Sequence, residues 1–189
     1  MNCPATASQT VGPYFKIGLA YLDSNSLCTE AVPGVHIAVS GQIFDGEEVP
    51  VPDAQLELWQ ADDQGRFSGY DPTARGPVAE GFSGFARVPV DQHGAFNFHT
   101  ILPGSVPMID GTPQAPHIVV VLSMRGLLKH LYTRIYFAGN PRNGEDPILQ
   151  AISPERRSTL LAEPDPESPG QYRFNIHLQG ENETVFFQY

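Results

Sequence analysis

Six histidines carry the widest chemical range in this sequence: His36, His93, His99, His117, His130 and His177. Neutral imidazole binds transition metals and serves as a general base near neutral pH. On a strand, two ligands reach one metal ion when they stand at i and i+2, because alternate side chains share a face. No His-x-His pair occurs. His117 comes nearest, in Gln114-Ala115-Pro116-His117-Ile118-Val119, but the i+2 position is a valine with no lone pair to offer. The plain reading of His117 is a hydrogen-bonded histidine at a strand end. Arg125 is the second unusual residue, in Ser123-Met124-Arg125-Gly126 after an apolar run. A guanidinium does not deprotonate in proteins, so it must face water, a protein carboxylate or an anionic ligand. A structural salt bridge and a bidentate grip on a ligand carboxylate are the two readings.

Other chemistries find no footing. There is no Gly-x-Gly-x-x-Gly or Gly-Lys-Ser/Thr phosphate loop, no Gly-x-Ser-x-Gly nucleophile turn and no His-Glu-x-x-His. Cys3 and Cys28 fit neither a zinc motif nor a disulfide framework, so free thiols in the cytoplasm are expected. Lys and Arg total 11 against 21 Asp and Glu, a formal charge of -10 with no basic run. Such a chain repels nucleic acid and anionic membranes. The first ten residues do not read as a signal peptide, and the longest apolar run, 118–122, is too short to span a bilayer.

The elements that must position these residues are short strands. Gly and Pro number 18 each among 189 residues and are spread along the whole chain, as turns between strands require. Val35, Ile37, Val39 and Ile43 alternate, as do residues 55–60. Residues 81–90 and 95–101 read as strands flanking the turn Asp91-Gln92-His93-Gly94. Residues 118–124 read as a strand buried on both faces. Residues 131–137, 172–178 and 184–189 complete the strand patterns. One helix is expected, capped by Ser153 and opened by Pro154, running to about Ala162. Residues 1–34 read as an extended arm whose apolar stretch, 11–19, packs either on its own domain or on a partner subunit, and 35–189 as the core domain. The predicted class is an all-β antiparallel sandwich with an N-terminal arm and a short helix.

Four motifs resemble the intradiol ring-cleaving dioxygenases. They are Ser8-Gln9-Thr10-Val11-Gly12-Pro13-Tyr14-Phe15, the stretch 56–67 (LELWQADDQGRF), Thr100-Ile101-Leu102-Pro103-Gly104, and Ala115-Pro116-His117-Ile118. The stretch 172–187 (YRFNIHLQGENETVFF) is similar to the alpha chain of the family's two-chain members. The likeness runs from Pro4 to Tyr189.

The resemblance implies an iron chemistry that this chain does not itself perform. Catalytic members hold Fe(III) with two tyrosines and two histidines. Here Val106 stands in one tyrosine's place, and of the histidine pair only His117 remains, with Val119 as its fellow. Gln114 stands where the family's catalytic arginine belongs. The other tyrosine falls between Tyr70 and Gly84 without a clear match. The resemblance therefore implies a chain without metal or catalytic residues of its own, whose partner beta chain binds Fe(III) in a heterodimer and higher assembly. The implied reaction inserts O2 between the two hydroxyl-bearing carbons of protocatechuate, giving 3-carboxy-cis,cis-muconate. Thr10, Gly12, Pro13, Tyr14 and Arg125 carry over as substrate-contacting residues at the partner's site. Two alternatives stand beside this: a self-sufficient catechol-type dioxygenase, and a non-catalytic β-sandwich binding module.

Overall fold

The structure, a computed structural model, describes residues 5–69 and 76–188. A five-residue helix, α1 (Pro13–Ile17), opens it. Then come β1 (His36–Phe44), β2 (Gln55–Trp59), β3 (Phe85–Pro89), β4 (Ala95–Ile101), β5 (Val106–Pro107), β6 (Pro113–Gln114), β7 (His117–Ser123) and β8 (Leu131–Phe137). The short α2 (Pro147–Gln150) precedes β9 (Leu161–Pro164), β10 (Gln171–Arg173) and β11 (Ile176–His177). No helix among the described residues is long and apolar enough to cross a membrane.

Alternation sets the layers. On β2, Leu56 and Leu58 are fully buried, while Trp59 on the opposite face is exposed. β2 lies between β3 and β7, and β7 pairs with β8, all antiparallel. Register places Leu56 opposite Leu122 and Leu58 opposite Val120, so each strand turns its branched residues to the same side. β1 and β4 pair antiparallel over seven residues, from His36↔Ile101 to Gln42↔Ala95. One core cluster joins Ile37, Val39, Phe96 and Phe98 of that pair to Leu56, Val88, Val120 and Ile135 of the other group. The expected all-β sandwich is present.

Four local expectations are corrected. The strands are not all antiparallel: β10 and β11 run parallel to β1, and β9 runs parallel to β8. Crossover connections produce such pairs where hairpins cannot. The run 118–124 is not evenly buried on both faces, since Ile118, Val120 and Leu122 are fully buried while Val119 and Val121 on the other face are half-buried. The strand expected over 172–178 is broken in the middle, where the Asn175 side chain accepts the Gln42 N–H and Phe174 N–H donates to Ser40. Gly41 permits that approach, because a Cβ there would fall 1.7 Å from the Phe174 carbonyl oxygen. Residues 184–188 form no strand, only a single bridge from Phe187 to Tyr132.

The expected helix is a 3-10 stretch, Pro154–Leu160, and Ala162 already belongs to β9. Ser153 makes no side-chain cap, and the Thr159 hydroxyl donates to the Arg156 carbonyl in place of a regular α turn. The second half of the arm is stitched to the sheet. Leu27 N–H donates to His99 O, His99 N–H donates to Asn25 O, and the Leu27 side chain is fully buried in the main core. Cys28 is a free, half-buried thiol that burial pushes up in pKa, whereas Cys3 lies outside the described residues.

Candidate functional site

Two places on the outer face of the sheet matter, one at each end of β7. The first lies beneath the arm. A five-residue helix is far below the length that is stable alone in water, so α1 must be held by packing. Arg87 on β3 does this. Its side chain is 2% exposed, and its guanidinium lies 4.4 Å over the Phe15 ring and donates to the Phe15 carbonyl. The same guanidinium pairs with Glu57 at 2.9 Å and sits 3.3 Å from Asp23, the latter an ion pair by distance without hydrogen-bond alignment. One cation thus ties α1, the turn after it and strand β2 together.

Further along the arm, the Thr10 hydroxyl donates to the Met124 carbonyl at 3.4 Å and accepts the Gly126 N–H at 2.8 Å. It therefore clips the arm to the turn on both sides of Arg125. Gly126 has φ +96°, a conformation that glycine adopts without strain. Gly12 caps α1 and Pro13 takes its first turn, where a missing N–H costs nothing.

Between arm and sheet lies a cavity of about 480 Å³. Thr10, Gly12, Pro13 and Arg125 all line it, so four of the five residues expected at a substrate mouth converge there from opposite ends of the chain. Tyr14 is not among its lining residues and stands 82% exposed on α1. Arg125 Nε pairs with Asp53 at 3.1 Å while the side chain stays 82% exposed, so its outer Nη edge faces solvent. Asp53, Lys16, Ser123 and Gln55 share the cavity. Gln55 is 1% exposed, and neither its Oε1 nor its Nε2 finds a partner among the described residues. A buried amide left unpaired costs about 1–3 kcal/mol.

The second place holds the positions at which the resemblance leads one to expect metal ligands. Val106 on β5 pairs with Gln114 on β6. His117 is buried, its Nδ1 lies 2.8 Å from the Ala115 carbonyl, and its ring centroid lies 5.5 Å from that of Tyr136 with the planes tilted by 38°. Val119 stands opposite Arg134 across the ladder. Arg134 Nη1 donates to Gln114 Oε1 at 2.8 Å and reaches the Tyr136 hydroxyl at 3.3 Å. That hydroxyl donates to Asp146, whose carboxylate also accepts the Ala115 and Leu149 N–H groups and so caps α2. Burial, helped by the Arg134 charge, holds the His117 pKa down to about 4, and burial raises that of the Tyr136 phenol.

This donor set does not fit a tyrosinate–ferric centre. It offers one neutral imidazole, a phenol held in its protonated form, two valines, and a guanidinium whose charge repels a metal cation. Among the described residues no three His, Cys, Asp or Glu gather where a metal could be held, and Tyr70 lies outside those residues. Of the other five histidines, four bond locally: His36 to Val32, His93 to Gln92, His130 to Tyr132 and His177 to Glu48.

Fold and motifs meet in one class. The family model described as Dioxygenase matches residues 11–180, and the chain belongs to the intradiol ring-cleavage dioxygenase family. The dioxygenase domain of a dioxygenase–carbohydrate-binding protein fusion from Streptomyces sp. SirexAA-E superposes with a TM-score of 0.63 at 30% identity, covering 84% of this chain and 88% of that one. Within the family, the chain is similar to the protocatechuate 3,4-dioxygenase alpha chain of Burkholderia cepacia, with 43% identity over 197 residues and 96% of each chain covered. The beta chain of the same enzyme from that organism is 31% identical over 159 residues, spanning 80% of this chain and 67% of its own length.

Proposed function

We propose that this chain is the iron-free, alpha-type subunit of a cytoplasmic dioxygenase that cleaves protocatechuate with O2 to 3-carboxy-cis,cis-muconate. A beta-type partner chain supplies Fe(III), and the two associate as a heterodimer within a larger assembly. Relatives of both kinds, alpha and beta, support a two-chain enzyme. The observation that carries the reading is the pairing of the two places on the outer face. The expected metal position is filled by Val106, Val119 and an Arg134–Tyr136–Asp146 network. The opposite end keeps an arm clipped to the turn that carries the exposed Arg125.

In this reading the arm and Arg125 form one wall of the partner's site. The exposed apolar side chains Tyr14, Ile17 and Tyr21 on the arm form the surface for that partner. Asp53 holds Arg125 by Nε, and the free Nη edge is the side suited to bidentate binding of a carboxylate. The chain's role is to bind and orient the acid, not to perform the oxygenation.

The test is Arg125→Ala in the assembled enzyme. The Michaelis constant for protocatechuate rises at least about tenfold, since charge-assisted hydrogen bonds contribute roughly 1.5–3 kcal/mol. That for unsubstituted catechol stays within about twofold. Equal effects on the two substrates would remove the carboxylate role.

A further inference from the structure

We infer that Arg87 is a positioning residue for the reaction of the assembled enzyme. It fixes the place of the arm that walls the partner's site, and so sets the binding of every catechol there, acidic or not. The inference rests on the reading of this chain as the iron-free subunit. Arg87 lies on β3, outside the lining of the cavity that holds Arg125, and acts through the arm.

Gly12 and Pro13 have no side chain that can hydrogen-bond, so their position follows from what holds the residues on either side. On one side is Thr10, whose clip to the Met124–Gly126 turn is exposed to water. Hydrogen bonds that water can replace hold a segment weakly. On the other side is Phe15, whose carbonyl and ring both meet the buried guanidinium of Arg87. A charge-assisted hydrogen bond is stronger than a neutral one, and the contact between cation and ring adds to it. The same residue also takes the far end of the segment. Ser24 N–H donates to the Arg87 carbonyl at 2.9 Å, and the Asp23 carboxylate lies 3.3 Å from Arg87 Nε. The stretch from Phe15 to Ser24 is thus fastened at both ends to one residue of the sheet.

A guanidinium suits this task because it is planar, with donors along separate edges. Glu57 on β2 pairs with Nη1 at 2.9 Å and fixes the plane, Nη2 donates to the Phe15 carbonyl, and the flat face covers the Phe15 ring. A lysine keeps the charge but holds it as a point, without the fork that serves both oxygens in one plane. A wall that drifts weakens binding in the ground state and the transition state alike, so KM rises and kcat does not fall. Gly12 and Pro13 carry no charge, so this loss is the same for protocatechuate and for unsubstituted catechol. Arg125 differs, since its charge acts on the acid.

The test places Arg87→Met and Arg87→Lys in the complex with a beta-type chain. A thermal melt verifies that each variant folds, and the colour of the partner's iron verifies that each assembles. With methionine, KM for protocatechuate and for catechol rises in parallel by about fivefold or more, while kcat stays within about twofold. Lysine gives a smaller parallel rise. In the chain alone, hydrogen exchange at the Phe15 and Gly18 amides speeds up in Arg87→Met by a larger factor than at the amides of β4. Unchanged KM for both substrates overturns the proposal. So does a rise confined to protocatechuate, which would place Arg87 with the acid-binding group. If neither variant assembles, exchange in the chain alone decides: an arm as protected as in wild type overturns the proposal, and a selectively loosened arm supports it. Failure of the wild-type chain to form a coloured complex overturns the subunit reading, and this proposal with it. A working wild-type complex whose Arg87 variants behave as wild type does overturns this proposal alone.

Discussion

His117 shows what burial does to a single imidazole. Burial favours the neutral imidazole, and the nearby Arg134 charge adds to that preference against the Ala115 carbonyl and the Asp146 carboxylate. The unfolded chain takes up the proton near the ordinary imidazole value of 6.5, the folded chain only near 4. Between those values the unfolded state binds more protons, so stability falls as pH drops from 6.5 to 4. The loss is on the order of 3 kcal/mol across that window. Urea unfolding at pH 7 and pH 4.5 measures it. Wild type loses more stability than His117→Gln over this interval, by about 2 kcal/mol or more, and parallel losses would show that the imidazole is not held neutral. Val106 and Val119 drew notice in the sequence because they stand inside or beside motifs that resemble the family's. Arg134 and Asp146 did not, since nothing local marks a residue whose partner lies 20 or 31 positions away. Asp53 and Gln55 escaped notice for the same reason: each matters only through a neighbour that folding supplies.

At the level of elements, the arm is the part whose order depends on few contacts. α1 buries no side chain of its own, and Arg87 is its main anchor through the Phe15 ring and carbonyl. Arg87→Met removes that anchor while leaving Glu57 and Asp23 close enough to water to be solvated. The expected result is trypsin cleavage at Lys16 at least about tenfold faster, with global stability lowered by roughly 1–3 kcal/mol. An unchanged cleavage rate would mean that other contacts hold the arm. The alternation in β1, β2, β4 and β8 made those strands readable, because one face of each meets the common core. Three features resisted. The 3-10 stretch Pro154–Leu160 has the proline start of an α-helix but not its length. The break at Asn175 depends on a side chain that replaces a backbone partner on β1. Residues 184–188 carry a strand-like pattern but find only the one bridge, Phe187 to Tyr132.

For the whole molecule, the formal charge of -10 poses a problem to a subunit that serves an acidic substrate. Long-range repulsion of a carboxylate must be overcome locally, and salt screens such fields beyond about 10 Å. The cavity meets this with Arg125 and Lys16 on its lining, beside a single carboxylate, Asp53. The molecule thus has a core of its own, an arm with exposed apolar groups, and a cavity mouth that carries Arg125 and Lys16. In the proposed reading its function is completed by another chain. The measurement that tests this most directly is the iron content and visible spectrum of the chain purified alone and after co-expression with a beta-type chain. Alone it is colourless and free of iron, and with the partner it elutes as one complex holding about one iron per pair, coloured by tyrosinate-to-iron charge transfer. Stoichiometric iron and that colour in the chain alone would contradict the account.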